Sequence, residues 1–413
     1  MAHMAHMAHE ALLHEARRQR NGERSRLAMP APPEGAFSEA AGKHKTPNIF
    51  VLGATPAIAF EPGTDPLAKL AKTGGNTGNQ IIAHALLGQI AYQDVSWDHS
   101  IDPHEVAERF DMFVIAAANF LFHAFDFGGM AHYIEEADLP VAIVGLGAQA
   151  RNYDPDIPLL PGTERFLDVV AERAVSIGVR GPFTQQVLDR RGIRNVTVTG
   201  CPSYYMRGAP VTAFAKPDFD TVRSISVNAS RDVIGHAFDP VKMGEIVRQI
   251  YREAVAWNAD FISQSETAEI SLGDQVPGRS VAPALDEICA FLRNVADESD
   301  VRSWASNHVR VFFEVSDWIE AVRGYDFVFG NRFHGNMIAL QHGVPACVIC
   351  HDTRTEEMCQ FLGLPYVNIM DIDTIDVRSL YDKVDTAVLN ARYSALYPKY
   401  VEFLKTNGLS VRI

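Results

Sequence analysis

Residues 325–350 read YDFVFGNRFHGNMIALQHGVPACVIC, and this stretch decides the fold. Tyr325 to Phe329 is a short apolar run, broken by Asn331-Arg332-Phe333-His334-Gly335. Asn336 to His342 then carries apolar residues at Met337, Ile338 and Leu340, Gly343 closes the helix, and Val344 to Cys350 is a second apolar strand. A strand, tight turn, helix and strand in this order make a β-turn-α unit. It sets an arginine and a histidine at the carboxyl end of a strand, against a helix N-terminus. Open α/β sheets bind ligands there, and unpaired backbone N–H groups favour an anion.

The same alternation extends in both directions. Upstream, Asn48 to Ala54, Asp111 to Ala117, Val141 to Gly147, Val175 to Val179 and Val196 to Thr199 read as strands. Helices are expected between them at Ile81 to Ala91, Gly129 to Ala137, Thr163 to Ala174 and Phe183 to Arg191. Arg207 to Asp220, with Pro210 and Pro217, reads as a linker, after which the alternation restarts at Ser224. Strands and helices at this spacing imply parallel sheets with right-handed crossovers. The expected fold class is α/β, with two Rossmann-like domains arranged as in glycosyltransferase-B proteins and with C-terminal helices. The expected domains are 46–206 and 218–370, followed by a helical segment at 371–413. Residues 1–45, opening on MAHMAHMAH and an Arg-rich run, are expected to be a disordered tail with no part in the fold.

Composition bounds the function. With 413 residues, two domains are the starting expectation. A net charge of -14 argues against a broad nucleic-acid surface. Nowhere does an apolar run reach the roughly 18 residues needed to span a bilayer. The N-terminus lacks the apolar core of a secretory signal. Five cysteines scattered from Cys201 to Cys359 form no disulfide framework, which fits a reducing cytosol. The expected location is cytoplasmic, including peripheral contact with the inner face of the membrane.

Several motifs carry chemistry. Thr73 to Gln80 (TGGNTGNQ) is Gly-rich and precedes a helix, so Gly75, Asn76, Gly78 and Asn79 form either a plain turn or a ligand-facing loop. It lacks the Lys-Ser/Thr of a P-loop. Gly145-Leu146-Gly147-Ala148-Gln149 ends a buried strand and puts Gln149 on the cleft rim, or serves only for close packing. Arg180 ends the next strand, where a core role is uncommon for arginine and a structural ion pair is the alternative. Cys347 and Cys350 match C-x-x-C but lie within a strand, where they point to opposite faces and fill a core. No metal site is expected. Arg332, His334 and Arg354 leave adjacent strands at their carboxyl ends and can converge. Two guanidiniums beside an imidazole suit a ligand that carries phosphate and carboxylate.

These landmarks, taken together and in order, resemble the polysaccharide pyruvyl transferase family. The resemblance covers about Asn48 to Pro365 and rests on GGNTGNQ, SIGVRGPFTQQVLDRRGIRNVTVTGCPS, GNRFHGNMIALQHGVP and HDTRTEEMCQFLGLP. It implies transfer of the enolpyruvyl unit of phosphoenolpyruvate to a sugar of a polysaccharide or its lipid-linked precursor, forming a pyruvate ketal. His334 then matches the catalytic histidine, while Arg332, Arg354 and Arg180 match donor-binding positions. Phosphoenolpyruvate enters as a co-substrate, with no resident cofactor. Three positions depart from the family pattern: Asn79, Gly181 and Cys201 stand where it has acids. Two alternatives share the scaffold. One is a nucleotide-sugar glycosyltransferase, with Glu356 or Glu357 holding the ribose. The other is a non-catalytic glycan- or anion-binding protein.

Overall fold

The computed structural model describes residues 46–208 and 216–412. The tail expected over residues 1–45 and the middle of the expected linker, residues 209–215, lie outside the described residues. Strands β1 (Ile49–Gly53), β2 (Ile90–Ala91), β3 (Val95–Ser96), β4 (Met112–Ala116), β5 (Val141–Val144), β6 (Ile177–Val179) and β7 (Val196–Val198) occupy the first half. The second half holds β8 (Ile225–Asn228), β9 (Asp260–Ser263), β10 (Val309–Val311), β11 (Phe327–Gly330), β12 (Ala346–Cys350) and β13 (Tyr366–Asn368), and β14 (Ser410–Val411) comes last.

Each half builds a parallel sheet. The first has the order β3-β1-β4-β5, and a Leu146–Val179 bridge carries it on into the parallel pair β6-β7. The second has six strands in the order β10-β9-β8-β11-β12-β13. Both are Rossmann-like, and with the C-terminal helices they form a glycosyltransferase-B-like α/β protein. In the second sheet the strand order reverses between β8 and β11, which opens a crevice beyond their carboxyl ends. Asn228 ends β8 and Gly330 ends β11, so Arg332 and His334 emerge at that crevice.

Period-two alternation sorts each strand into two layers. Along β4, Met112, Val114 and Ala116 face one apolar layer while Phe113 and Ile115 face another. The layer holding Met112 also contains Met337, Ile338 and Val348 from the second half, and Tyr393, Tyr400 and Phe403 near the C-terminus. The two halves thus share an inner core and keep separate outer ones. The cysteines of β12 obey the same rule, Cys347 lying in the outer layer and Cys350 in the inner one.

The C-terminal segment returns to the first half. The helix Thr386–Thr406 places the Tyr400 hydroxyl 2.6 Å from Gln89 Oε1 and stacks Tyr400 on Tyr205. Beyond it, β14 pairs with β2. Four helices escape the sequence pattern: Pro66–Lys72, Pro103–Arg109, Thr267–Gly273 and Glu298–His308. They are short or mostly polar, so little hydrophobic period marks them.

Candidate active site

The helix after β11 begins at Phe333, not at the expected Asn336, so Arg332 caps it and His334 lies inside its first turn. Asn336 is the physical reason. Its buried side-chain amide donates back to Arg332 O at 2.9 Å and Gly330 O at 3.0 Å, while Asn228 Oδ1 accepts the Arg332 N–H at 2.9 Å. Strand β8 therefore holds the turn shut, and the helix starts three residues early.

His334 is 8% exposed and is enclosed from both halves. Cys201 Sγ stands 3.5 Å from its Nε2, and Gly78, at the start of the helix Gly78–Gln89, packs against its Cβ. A Cβ added at Gly78 would sit 2.6 Å from Gln264 Oε1 and 3.3 Å from His334 Cβ, so a side chain there would displace the Gln264 amide and crowd the histidine. Burial first, then the charges of Arg180, Arg354 and Arg332, hold the imidazole well below its ordinary pKa. His334 is thus neutral at pH 7, and three guanidiniums lie within electrostatic reach of it.

Those arginines are held differently. Arg180 is fully buried and donates through Nε to Gly145 O at 2.8 Å and through Nη2 to Ala117 O at 3.2 Å. Arg332 Nη2 contacts Ser265 Oγ and lies 2.5 Å from Glu266 Oε1. Burial opposes ionisation of Glu266, but Arg332 and nearby N–H groups outweigh it and lower its pKa. Arg354 lies 3.7 Å from Asp352 Oδ2, itself lowered against the effect of burial by His351 and Arg354. Among the described residues, three buried N–H donors of this cluster find no hydrogen-bond partner in the protein: Gln264 Nε2, Arg332 Nε and Arg354 Nε. Donors left unpaired inside a protein are costly, and an oxyanion satisfies them.

The remaining sequence candidates divide. Gly78 touches the histidine, whereas Gly75 is exposed with a left-handed backbone. The side chains of Asn76 and Asn79 stay in their own loop, bonding to Gly78 N and Thr73 O. Gln149 is buried and joins the halves, accepting from Asn119 and donating to Asp352 Oδ2 at 2.9 Å. Beside it a cavity of about 340 Å³ is lined by Phe122, His123, Gln149, Arg151, Asn152 and His236 among others. The two acids considered for ribose binding are turned to protein donors. Glu356 accepts from Tyr153 and Asn368, while Glu357 accepts from Phe183 N, Thr184 N and the Thr184 hydroxyl.

A family model for polysaccharide pyruvyl transferases matches residues 76–353, the greater part of the chain, and these span every residue of the cluster except Arg354. The chain belongs to the polysaccharide pyruvyl transferase family. No curated protein matches it. Among solved structures it resembles the UDP-GlcNAc 2-epimerase of Methanocaldococcus jannaschii, at 11% identity and TM-score 0.35 over 80% of this chain and 75% of that one. It also resembles MnaA of S. aureus, solved with UDP, at 13% identity and TM-score 0.39 over 86% and 98% of the two chains. A third is Anabaena Alr3699/HepE with UDP and glucose, at 12% identity and TM-score 0.39 over 88% and 97%. The strand orders, not these likenesses, define the architecture. Among the described residues, no helix is long and apolar enough to cross a membrane.

Family membership makes this protein a transferase acting in polysaccharide pyruvylation, with a glycan acceptor. Sequence reasoning missed Asn228, Gln264, Ser265 and Glu266 as parts of the cluster. Asn228 ends β8 and the other three follow β9, and polar residues closing an apolar strand were their local signal.

Proposed function

We propose that this transferase takes the pyruvyl unit of phosphoenolpyruvate and joins it to two hydroxyls of one glycan, forming a cyclic ketal and releasing inorganic phosphate. The observation that carries this is the grouping of Arg180, Arg332 and Arg354 about a neutral His334, with unpaired N–H donors beside them. A small molecule with both a carboxylate and a phosphate matches that set, because each guanidinium offers a charged donor to an oxyanion.

A proton reaches the methylene carbon, the electron pair of the C=C bond forms the new C–H bond, and positive charge develops at C2. One glycan hydroxyl adds there and loses its proton. The bond from C2 to the phosphate oxygen then breaks, a second hydroxyl adds, and its proton leaves with phosphate. His334 delivers the proton to the methylene and takes up the proton of the first hydroxyl, general acid–base work worth about 10²- to 10⁴-fold in rate. The acceptor enters by the 340 Å³ cavity beside Gln149, where Phe122 and two histidines offer flat faces to a sugar ring and Asn152 a polar edge.

The test is incubation of the protein with phosphoenolpyruvate carbon-labelled at C2 and a panel of oligosaccharide acceptors. A ketal carbon in the product spectrum, formed together with one phosphate per ketal, is expected. Labelled donor left unconsumed while a UDP-sugar is turned over would refute the donor assignment.

A further inference from the structure

Three other features invite a function. His351 is buried with Nε2 3.6 Å from Asp352 Oδ2, Glu357 bridges the two halves, and Cys201 meets the imidazole of His334. The third is the one whose geometry bears directly on the reaction.

Cys201 follows β7 at the end of the first sheet and is fully buried. Its sulfur has two polar neighbours. The Ser203 hydroxyl donates to it at 3.0 Å, and His334 Nε2 lies 3.5 Å away. A hydroxyl donating into the sulfur leaves the S–H free to point at the imidazole, since a thiol is a weak donor and a weak acceptor at once. In a neutral imidazole the hydrogen bond made by one nitrogen decides which nitrogen bears the proton. An S–H donated to the facing Nε2 would leave the ring hydrogen on Nδ1. Arg180 lies within electrostatic reach of the same sulfur.

We infer that Cys201 is the positioning residue of His334, fixing the ring with Nδ1 protonated toward the donor and handing its own proton to Nε2 as Nδ1 gives one up. The inference rests on the proposed donor chemistry for its steps. As the C–H bond forms at the donor methylene, the Nδ1–H bond breaks. At the same time Nε2 takes the proton of Cys201, leaving a thiolate that keeps the Ser203 hydroxyl bond. When the first glycan hydroxyl adds, its proton goes to Nδ1 and the Nε2 proton returns to sulfur. The pair ends as it began, and no imidazolium forms among three guanidiniums. This explains how a histidine in so cationic a pocket can act as an acid.

The experiment is nitrogen NMR of the histidine side chains in the unliganded full-length protein, with His334 assigned from a His334→Gln variant. The expected result is an Nδ1-protonated ring in the native protein and loss of that preference in Cys201→Ala. In steady-state assays Cys201→Ala should lower kcat roughly tenfold or more, with KM for phosphoenolpyruvate little changed, and Cys201→Ser should recover part of kcat. An Nε2-protonated His334 in the native protein overturns the inference. So does a kcat loss in Cys201→Ala with the tautomer unchanged, which is what a merely structural cysteine gives. If Cys201→Ala fails to fold, the native tautomer and Cys201→Ser decide the matter. The tautomer is read without any donor, so a failed donor assignment leaves this test standing.

Discussion

His334 owes its character to its neighbours. Burial and three arginines disfavour its charged form, so the histidine stays neutral through the physiological range. Removing one cation moves its pKa back up toward 6.5, and Arg354→Ala should therefore raise the His334 midpoint in an NMR titration. An unmoved midpoint would place Arg354 away from the imidazole. His334→Ala should lower kcat by roughly 10²-fold or more while calorimetry still detects donor binding. Arg332 needs separate treatment because it also neutralises the buried Glu266. Arg332→Ala strands that carboxylate and should lower stability by about 3–5 kcal/mol in denaturant unfolding, besides weakening the donor site. The Arg-x-His pair was legible in the sequence because strand, turn and helix are local. The Cys201 contact was not, since 133 residues separate it from His334 and only the docking of the two halves brings them together.

Among the elements, the helix Thr353–Leu362 couples the halves through hydrogen bonds. Its Thr353 hydroxyl bonds Ala150, and its Glu357 accepts both N–H groups that open the helix Pro182–Arg190, just beyond Arg180. A Cβ at Gly181 would lie 2.3 Å from Glu357 Oε2, so the carboxylate fills the space this glycine leaves. Gly181→Asp should consequently destabilise by about 1–3 kcal/mol through overpacking and charge repulsion, and adding Glu357→Ala should restore much of the loss. Thermal unfolding of both single variants and the double variant checks this, and strict additivity would contradict it. Burial pushes the Glu357 carboxyl up to about 7, although its three hydrogen bonds and Arg180 pull it down. A folded-state value above the unfolded one favours folding while the group is protonated. The contribution is complete below the unfolded value and is lost as pH rises through about 7. Native protein should lose stability relative to Glu357→Gln between pH 5 and pH 8, followed as the difference between their unfolding free energies. Most long helices and strands could be read from apolar period. Pro66–Lys72 and Pro103–Arg109 could not, although each opens on an aspartate cap followed by proline, because their exposed faces outweigh the buried stripe.

For the whole molecule, the parallel alternation was legible, and so were two Rossmann-like sheets. What the sequence hid is how the sheets share one inner core and how the C-terminal helix returns to the first half through Tyr400 and β14. Apolar spacing says which face of an element is buried but not against what. The shared core places loops from both halves around His334, so donor binding and the closeness of the halves are energetically linked. A ligand that binds only the assembled site raises the melting temperature. We propose that this site holds phosphoenolpyruvate. The most direct measurement is calorimetric titration of the native protein with phosphoenolpyruvate, inorganic phosphate and a UDP-sugar, repeated with Arg354→Ala. The prediction is saturable binding of phosphoenolpyruvate, tighter than phosphate and weakened at least tenfold in Arg354→Ala. Binding of the UDP-sugar alone, indifferent to Arg354, would contradict it.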